Sequence, residues 1–185
     1  MKKIRKLIMA LCVIGIIVLT LPVTARADEE TVTLDLGNGA IDITSTGYTQ
    51  GGGSEVAFTG AYVITGSLRA DTPLDIDNNS GSLFTCNITL DNASIKGAAW
   101  CTSVRINGNS DIVLNITNIG DSVIMGYNHA ALVSNNTANV TANITNTAGN
   151  RLEMGSSWYG TTYRVFSFEQ GTICLLYTSP SPRDA

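Results

Sequence analysis

The chain has 185 residues, of which 14% are charged, and a formal net charge of −4. Between residues 28 and 173, five basic residues stand against fourteen acidic ones, a net of −9. A surface of that sign repels phosphate backbones, and no basic stripe overrides it, so nucleic acid is not an expected partner.

The chain begins with an export pattern. Lys2, Lys3, Arg5 and Lys6 precede an apolar run from Leu7 to Leu19 that only Gly15 interrupts. Ala25-Arg26-Ala27 is a small-x-small cleavage site. Residues 1–27 therefore read as a signal peptide, with the mature chain starting at Asp28. The run is shorter than a bilayer span of roughly 20 residues, which favours cleavage over a retained anchor. Cys12 lies inside the run, which argues against a lipid-modified anchor. The expected location is secreted or on the cell surface, with no membrane contact after cleavage.

Residues 28–68 read as an N-terminal cap and first strands. Leu34, Leu36, Ile41 and Ile43 alternate, and Gly51-Gly52-Gly53 supplies a flexible turn.

Residues 69–173 carry a repeat. Asn87-Ile88-Thr89, Asn115-Ile116-Thr117 and Asn143-Ile144-Thr145 are the same tripeptide, 28 residues apart. A fixed spacing of this size means one structural unit copied and stacked. The same period links Phe84, Ile112 and Val140, then Cys86, Leu114 and Ala142, then Ile76, Val104 and Leu132. Period-two alternation places Phe84, Cys86 and Ile88 on one face and Thr85, Asn87 and Thr89 on the other. Val56-Ala57-Phe58-Thr59 falls in register as a fourth copy, and a fifth begins near Phe168. Gly, Asn, Thr and Ser fill the intervals, as short strands with regular turns require. The spacing thus predicts an all-β parallel β-helix with about 28 residues per rung. One rung buries too few apolar groups to offset its ordering entropy, so several must stack.

The segment 174–185 breaks the pattern. Its sequence resembles a translated sequencing adapter, so it reads as a non-native tail and the β-helix as truncated at its C-terminus. An open strand edge there is expected to favour self-association. Cys86 and Cys101 lie fifteen apart, and a disulfide closing that loop would contribute about 3 kcal/mol. The inward column of Cys86 favours a buried thiol instead.

Three groups of residues are candidates for chemistry. Trp100, Asn128 and Ser156 are equivalent by the 28-residue count, with Tyr127, His129, Trp158 and Tyr159 around them. Trp100, Tyr127, Asn128, His129, Trp158 and Tyr159 then line one edge of the rod. Aromatic faces in such a row suit the C–H faces of sugar rings, though aromatics also plug corners of a core. The outward columns Thr85/Val113/Thr141, Asn87/Asn115/Asn143 and Thr89/Thr117/Thr145 offer a polar face to polysaccharide or ice, or merely a solvated ladder. Asp71, Asp75, Asp77, Asn78 and Asn79 form an oxygen-rich loop, a weak Ca²⁺ candidate. It is no EF-hand, since Ser80 and Cys86 stand where Gly and Glu belong. Asp91, Asp111 and Asp121 do not converge by the repeat count, so the paired carboxylates of a glycosidase are not expected. Seven Asn-x-Ser/Thr sequons are explained by Asn/Thr enrichment.

Gly60-Ala61-Tyr62-Val63-Ile64-Thr65-Gly66 and Asn87-Ile88-Thr89-Leu90-Asp91-Asn92-Ala93 resemble secreted bacterial right-handed parallel β-helix proteins of the carbohydrate-binding domain-containing type. The resemblance spans roughly Tyr48 to Ile173 and implies right-handed coils, an extracellular location and carbohydrate binding or adhesion. It brings no catalytic residues. The resulting expectation is a non-catalytic, exported module with a polysaccharide or glycan as partner and no required cofactor. A structural adhesin or stalk, and a polysaccharide lyase or hydrolase fragment, are the alternatives.

Overall fold

The computed structural model of the chain describes residues 30–157, 165–168 and 170–177. The expected signal segment 1–27, the residues after Tyr177, and Trp158 and Tyr159 lie outside the described residues.

The chain winds as a β-solenoid of about five turns, with about 29 residues per turn. The first turn holds β1 (Thr31–Asp35), a short 3₁₀ turn over Leu36–Asn38, and β2 (Ile41–Thr44). It then makes an antiparallel excursion, β3 (Gly47–Gln50) and β4 (Val56–Ala57). The second turn holds β5 (Ala61–Thr65), β6 (Ser67–Ala70) and β7 (Leu74–Asn78). The third holds β8 (Phe84–Leu90), β9 (Ser94–Gly97) and β10 (Val104–Gly108). The fourth holds β11 (Ile112–Asn118), β12 (Ser122–Tyr127) and β13 (Leu132–Ser134). The fifth holds β14 (Val140–Asn146), β15 (Leu152–Ser157) and β16 (Phe166–Phe168), after which β17 (Thr172–Tyr177) starts another pass.

Equivalent strands stack in three parallel sheets. The first runs β1-β5-β8-β11-β14-β17, the second β16-β13-β10-β7-β2, and the third β15-β12-β9-β6. The antiparallel pair β3-β4 extends the second sheet past β2. The boundary expected after Ile173 falls inside β17, whose backbone pairs with β14 through Tyr177.

Alternation selects the core. Cys86, Leu114 and Ala142 are aligned and buried, as are Ile88, Ile116 and Ile144. Leu34, Leu36, Ile41 and Ile43 close the interior at the first turn. Tyr48, Phe58 and Tyr62 then meet edge-to-face, with ring centroids 5.3–6.3 Å apart. This cluster brings the β3–β4 excursion onto the interior. Tyr62 is fully buried, and burial pushes its phenol well above the ordinary range.

Three expected alignments differ in the structure. Val104 pairs with Leu74 and not Ile76, which pairs with Ile106, so the spacing in that rung is 30. The cause is corner length: residues 79–83 separate β7 from β8, whereas only 109–111 separate β10 from β11. The fourth copy is not Val56-Ala57-Phe58-Thr59. Tyr62 lies beneath Ile88 and Ile64 beneath Leu90, while Val56 pairs back onto Tyr48 in the antiparallel excursion. The last copy begins at Thr172 and not at Phe168, because Ala142 pairs with Ile173 and Phe168 with Ser134.

Cys86, Cys101 and Cys174 are free thiols. Cys86 fills its place as a small apolar group, and complete burial pushes its thiol far above the usual range. Among the described residues, no helix is long and apolar enough to cross a membrane.

Candidate functional site

The corner between the third and second sheets holds the aromatic candidates. Residues 98–103 turn from β9 into β10, and residues 128–131 turn from β12 into β13 directly above. Trp100 and Asn128 both adopt left-handed backbone, with φ of 67° and 56°. Asn tolerates that geometry; an ordinary side chain such as Trp pays roughly 1–2 kcal/mol for it. The surroundings hold the turn in place. Tyr127 N donates to Cys101 O at 3.0 Å, and Thr102 Oγ1 donates to Ala130 O at 2.8 Å. Gly97 is needed here, because a Cβ would lie 2.2 Å from Cys101 O. Trp100 is thereby fixed on the surface with 63% of its area exposed. A strained residue kept by a rigid frame marks a position worth testing for function.

The neighbours of Trp100 divide into exposed and buried groups. The Arg69 guanidinium, carried by β6 two turns earlier, lies 5.2 Å from the Tyr127 ring centroid, a cation–π contact. His129 is exposed. Asn128 is only 3% exposed, and neither its amide nitrogen nor its amide oxygen has a hydrogen-bond partner. Ser156 is not the equivalent of Trp100. It pairs with Gly126, two residues earlier than the repeat count requires, and its buried hydroxyl also has no partner. Local spacings of 29 and 30 in the third sheet cause that shift. The expected row therefore shows Trp100, Tyr127 and His129 at one corner, with Asn128 beneath the surface.

The acidic residues of the expected Ca²⁺ loop belong mostly to a strand. β7 contains Asp75, Asp77 and Asn78, and alternation sets Asn78 on the face opposite to the two acids. Asn78 is fully buried, donating to Ser82 O and Asp111 O at 2.8 Å each, which staples one corner to the next turn. Asp75 and Asp77 alternate with it on the outward face of the second sheet. Asp71 lies before the strand and Asn79 after it, both exposed. Alternation thus removes Asn78 from the set while Asp75 and Asp77 share one face. Among the described residues, no group of three or more His, Cys, Asp or Glu is arranged to hold a metal ion.

That outward face has its own order. Asp42, Asp75, Arg105 and Val133 are aligned across four turns, as are Thr44, Asp77 and Asn107 across three. Asp75, 6% exposed, accepts from Arg105 Nε at 3.1 Å and also from Arg105 Nη2. Asn107 Nδ2 donates to the other carboxylate oxygen at 2.7 Å. Thr49 donates to Asp42 at 3.1 Å. Asp77 has its carboxyl raised above the ordinary range, first by burial and then by the nearby Asp75, with Arg105 partly offsetting this.

The outward face of the first sheet follows the sequence closely. Asn115 Nδ2 donates to Asn87 Oδ1 and Asn143 Nδ2 to Asn115 Oδ1, both at 2.8 Å. Thr117 aligns with Thr89 and Thr145.

Two features escape the sequence reading. Arg105 meets Asp75, itself aligned with Asp42, and not the Asp77 that a period of 28 sets opposite it, because of the two extra residues in the 79–83 corner. Asn118 and Asn146 form a second, buried ladder at 2.7 Å, with Asn118 also donating to Gly120 O. Their 28-residue spacing, adjoining the repeated tripeptide, was the available signal. Comparison with known protein families, curated proteins and solved structures gives no match to this chain.

Proposed function

We propose that this β-solenoid is an exported, non-catalytic carbohydrate-binding module of the bacterial surface or surroundings. The observation that carries the reading is Trp100: a large aromatic side chain, 63% exposed, on a strained turn fixed by the coils beside it. An exposed ring on a turn whose backbone is already held meets the C–H face of a sugar without ordering that backbone on binding. Tyr127 with its Arg69 partner and the exposed His129 adjoin it. The positive, apolar and small-residue start of the chain supports export.

The mechanism is passive. The solenoid supplies stiffness, and the corner supplies the ring. The test is calorimetry and glycan-array binding of the wild type beside Trp100→Ala. Loss of about tenfold or more in affinity, with thermal stability kept, is the expected result. Equal binding by the two proteins would remove Trp100 from the site and the reading with it. A rigid spacer is the second reading, favoured by the Asn ladder of the first sheet, whose amides already bond to one another.

A further inference from the structure

We infer that the glycan lies along one coil, over the outward face of the second sheet beside β10, from the Trp100 corner to a cleft at the next corner. The inference rests on the carbohydrate-binding reading. It adds a second subsite, an orientation and a charge class.

The cleft has a volume of about 250 Å³. Gly81, Ser82 and Leu83 form one wall, Asn109 to Asp111 the floor, and Ala138 the far side. It exists because the 79–83 corner carries two residues more than the 109–111 corner stacked on it. That extra length throws Leu83 outward, leaving 62% of it exposed beside polar groups. The combination suits one sugar ring: an apolar side chain for its C–H face and fixed polar groups for its hydroxyls. Asp111 is the fixed acceptor, with Oδ1 already taking a hydrogen bond from Asn139 N at 3.1 Å. Ser110 Oγ donates to Asn109 Oδ1 at 3.0 Å, which turns the amide nitrogen of Asn109 into the donor end.

Topology joins this cleft to Trp100. β10 leaves the Trp100 corner at Val104 and reaches Gly108, and Asn109 is the next residue. Five residues at roughly 3.3 Å each give a face about 17 Å wide, enough for several linked rings. Arg105 and Asn107 are the outward residues of β10 along that path, with Asp77 beside Asn107. The path therefore has an aromatic end, a polar middle and a cleft.

Charge selects the ligand. Arg105 is already paired with Asp75 and Arg69 stands at the Trp100 end, so toward the cleft the path is lined by the acids Asp77 and Asp111. A polyuronate meets repulsion there, whereas a neutral or amino-bearing glycan does not. The assignment is to a non-acidic chain, with amino sugars favoured.

The experiment measures binding of chito-oligosaccharides, N-acetylated and deacetylated, as dimer and hexamer, with an oligogalacturonate hexamer alongside. Wild type is compared with Trp100→Ala, Leu83→Ala and Asp111→Asn, each checked by thermal unfolding. Leu83 and Asp111 are exposed, so these substitutions leave the core untouched. The expected result is a hexamer held about tenfold more tightly than the dimer, with each substitution removing about that advantage. If Trp100→Ala abolishes binding while Leu83→Ala and Asp111→Asn leave the hexamer unaffected, the path along β10 is wrong and the carbohydrate reading stands. If the oligogalacturonate binds best, the charge class is wrong. If none of the oligomers binds, or no substitution matters, both readings fall.

Discussion

Asp77 shows how a single carboxylate reports its surroundings. Its carboxyl is raised by partial burial and by Asp75 and Asp42, against the opposing pull of Arg105. A raised carboxyl binds a proton in the folded state at a pH where the unfolded chain has already released it. Stability from this group is therefore present at low pH and declines as pH rises from the ordinary carboxylate range through the elevated folded value. At neutral pH the charge is a cost that the fold carries. Asp77→Asn is expected to raise the melting temperature at neutral pH by about 1–3 °C, and the gain should vanish near pH 3. Thermal unfolding across that range checks it; a gain that persists in acid would assign the effect to packing. The sequence displayed Asp75 and Asp77 as acids, and a fixed period of 28 sets Arg105 opposite Asp77. The two extra residues of the 79–83 corner move it opposite Asp75 instead.

At the scale of one strand, period-two alternation decides everything. β11 places Ile112, Leu114 and Ile116 inside and Val113, Asn115 and Thr117 outside. Leu114 is fully buried between Cys86 and Ala142, neither of which can expand to fill a void. Leu114→Ala is expected to cost about 2–5 kcal/mol, whereas Val113→Thr, one residue away on the outer face, stays within about 0.5 kcal/mol. Urea unfolding distinguishes the two; similar costs for both would mean that the outer face is also packed. This part of the fold was legible, because columns 28 apart in β8, β11 and β14 share both apolar and polar positions. Corners were not legible. Their lengths change from turn to turn, which gives Phe168 and Ser156 other neighbours than a fixed period assigns, and the β3–β4 excursion does the same for Val56. Trp100 was recognisable as an aromatic in a turn, but its left-handed backbone and its exposure were not.

Across the whole molecule, each turn touches mainly the turns before and after it. Such a stack loses stability locally, and damage at one end attenuates along the rod. The first turn depends on the aromatic cluster of Tyr48, Phe58 and Tyr62, which ties the β3–β4 excursion to the interior. Phe58 is half-buried and contacts both other rings, so removing it strips two edge-to-face pairs as well as apolar burial. Phe58→Ala is expected to cost roughly 1–3 kcal/mol in that turn, less than a fully buried Phe. Hydrogen exchange by mass spectrometry measures where the cost appears. Amides of β3, β4 and β5 should exchange faster by about tenfold or more, while those of β11 and β14 keep their wild-type rates. Equal acceleration in every turn would show that the rod opens as one unit, with coupling between coils stronger than nearest-neighbour stacking provides. In that case a ligand bridging two corners of the middle turns would also protect the first turn, and the same measurement with bound glycan would reveal it.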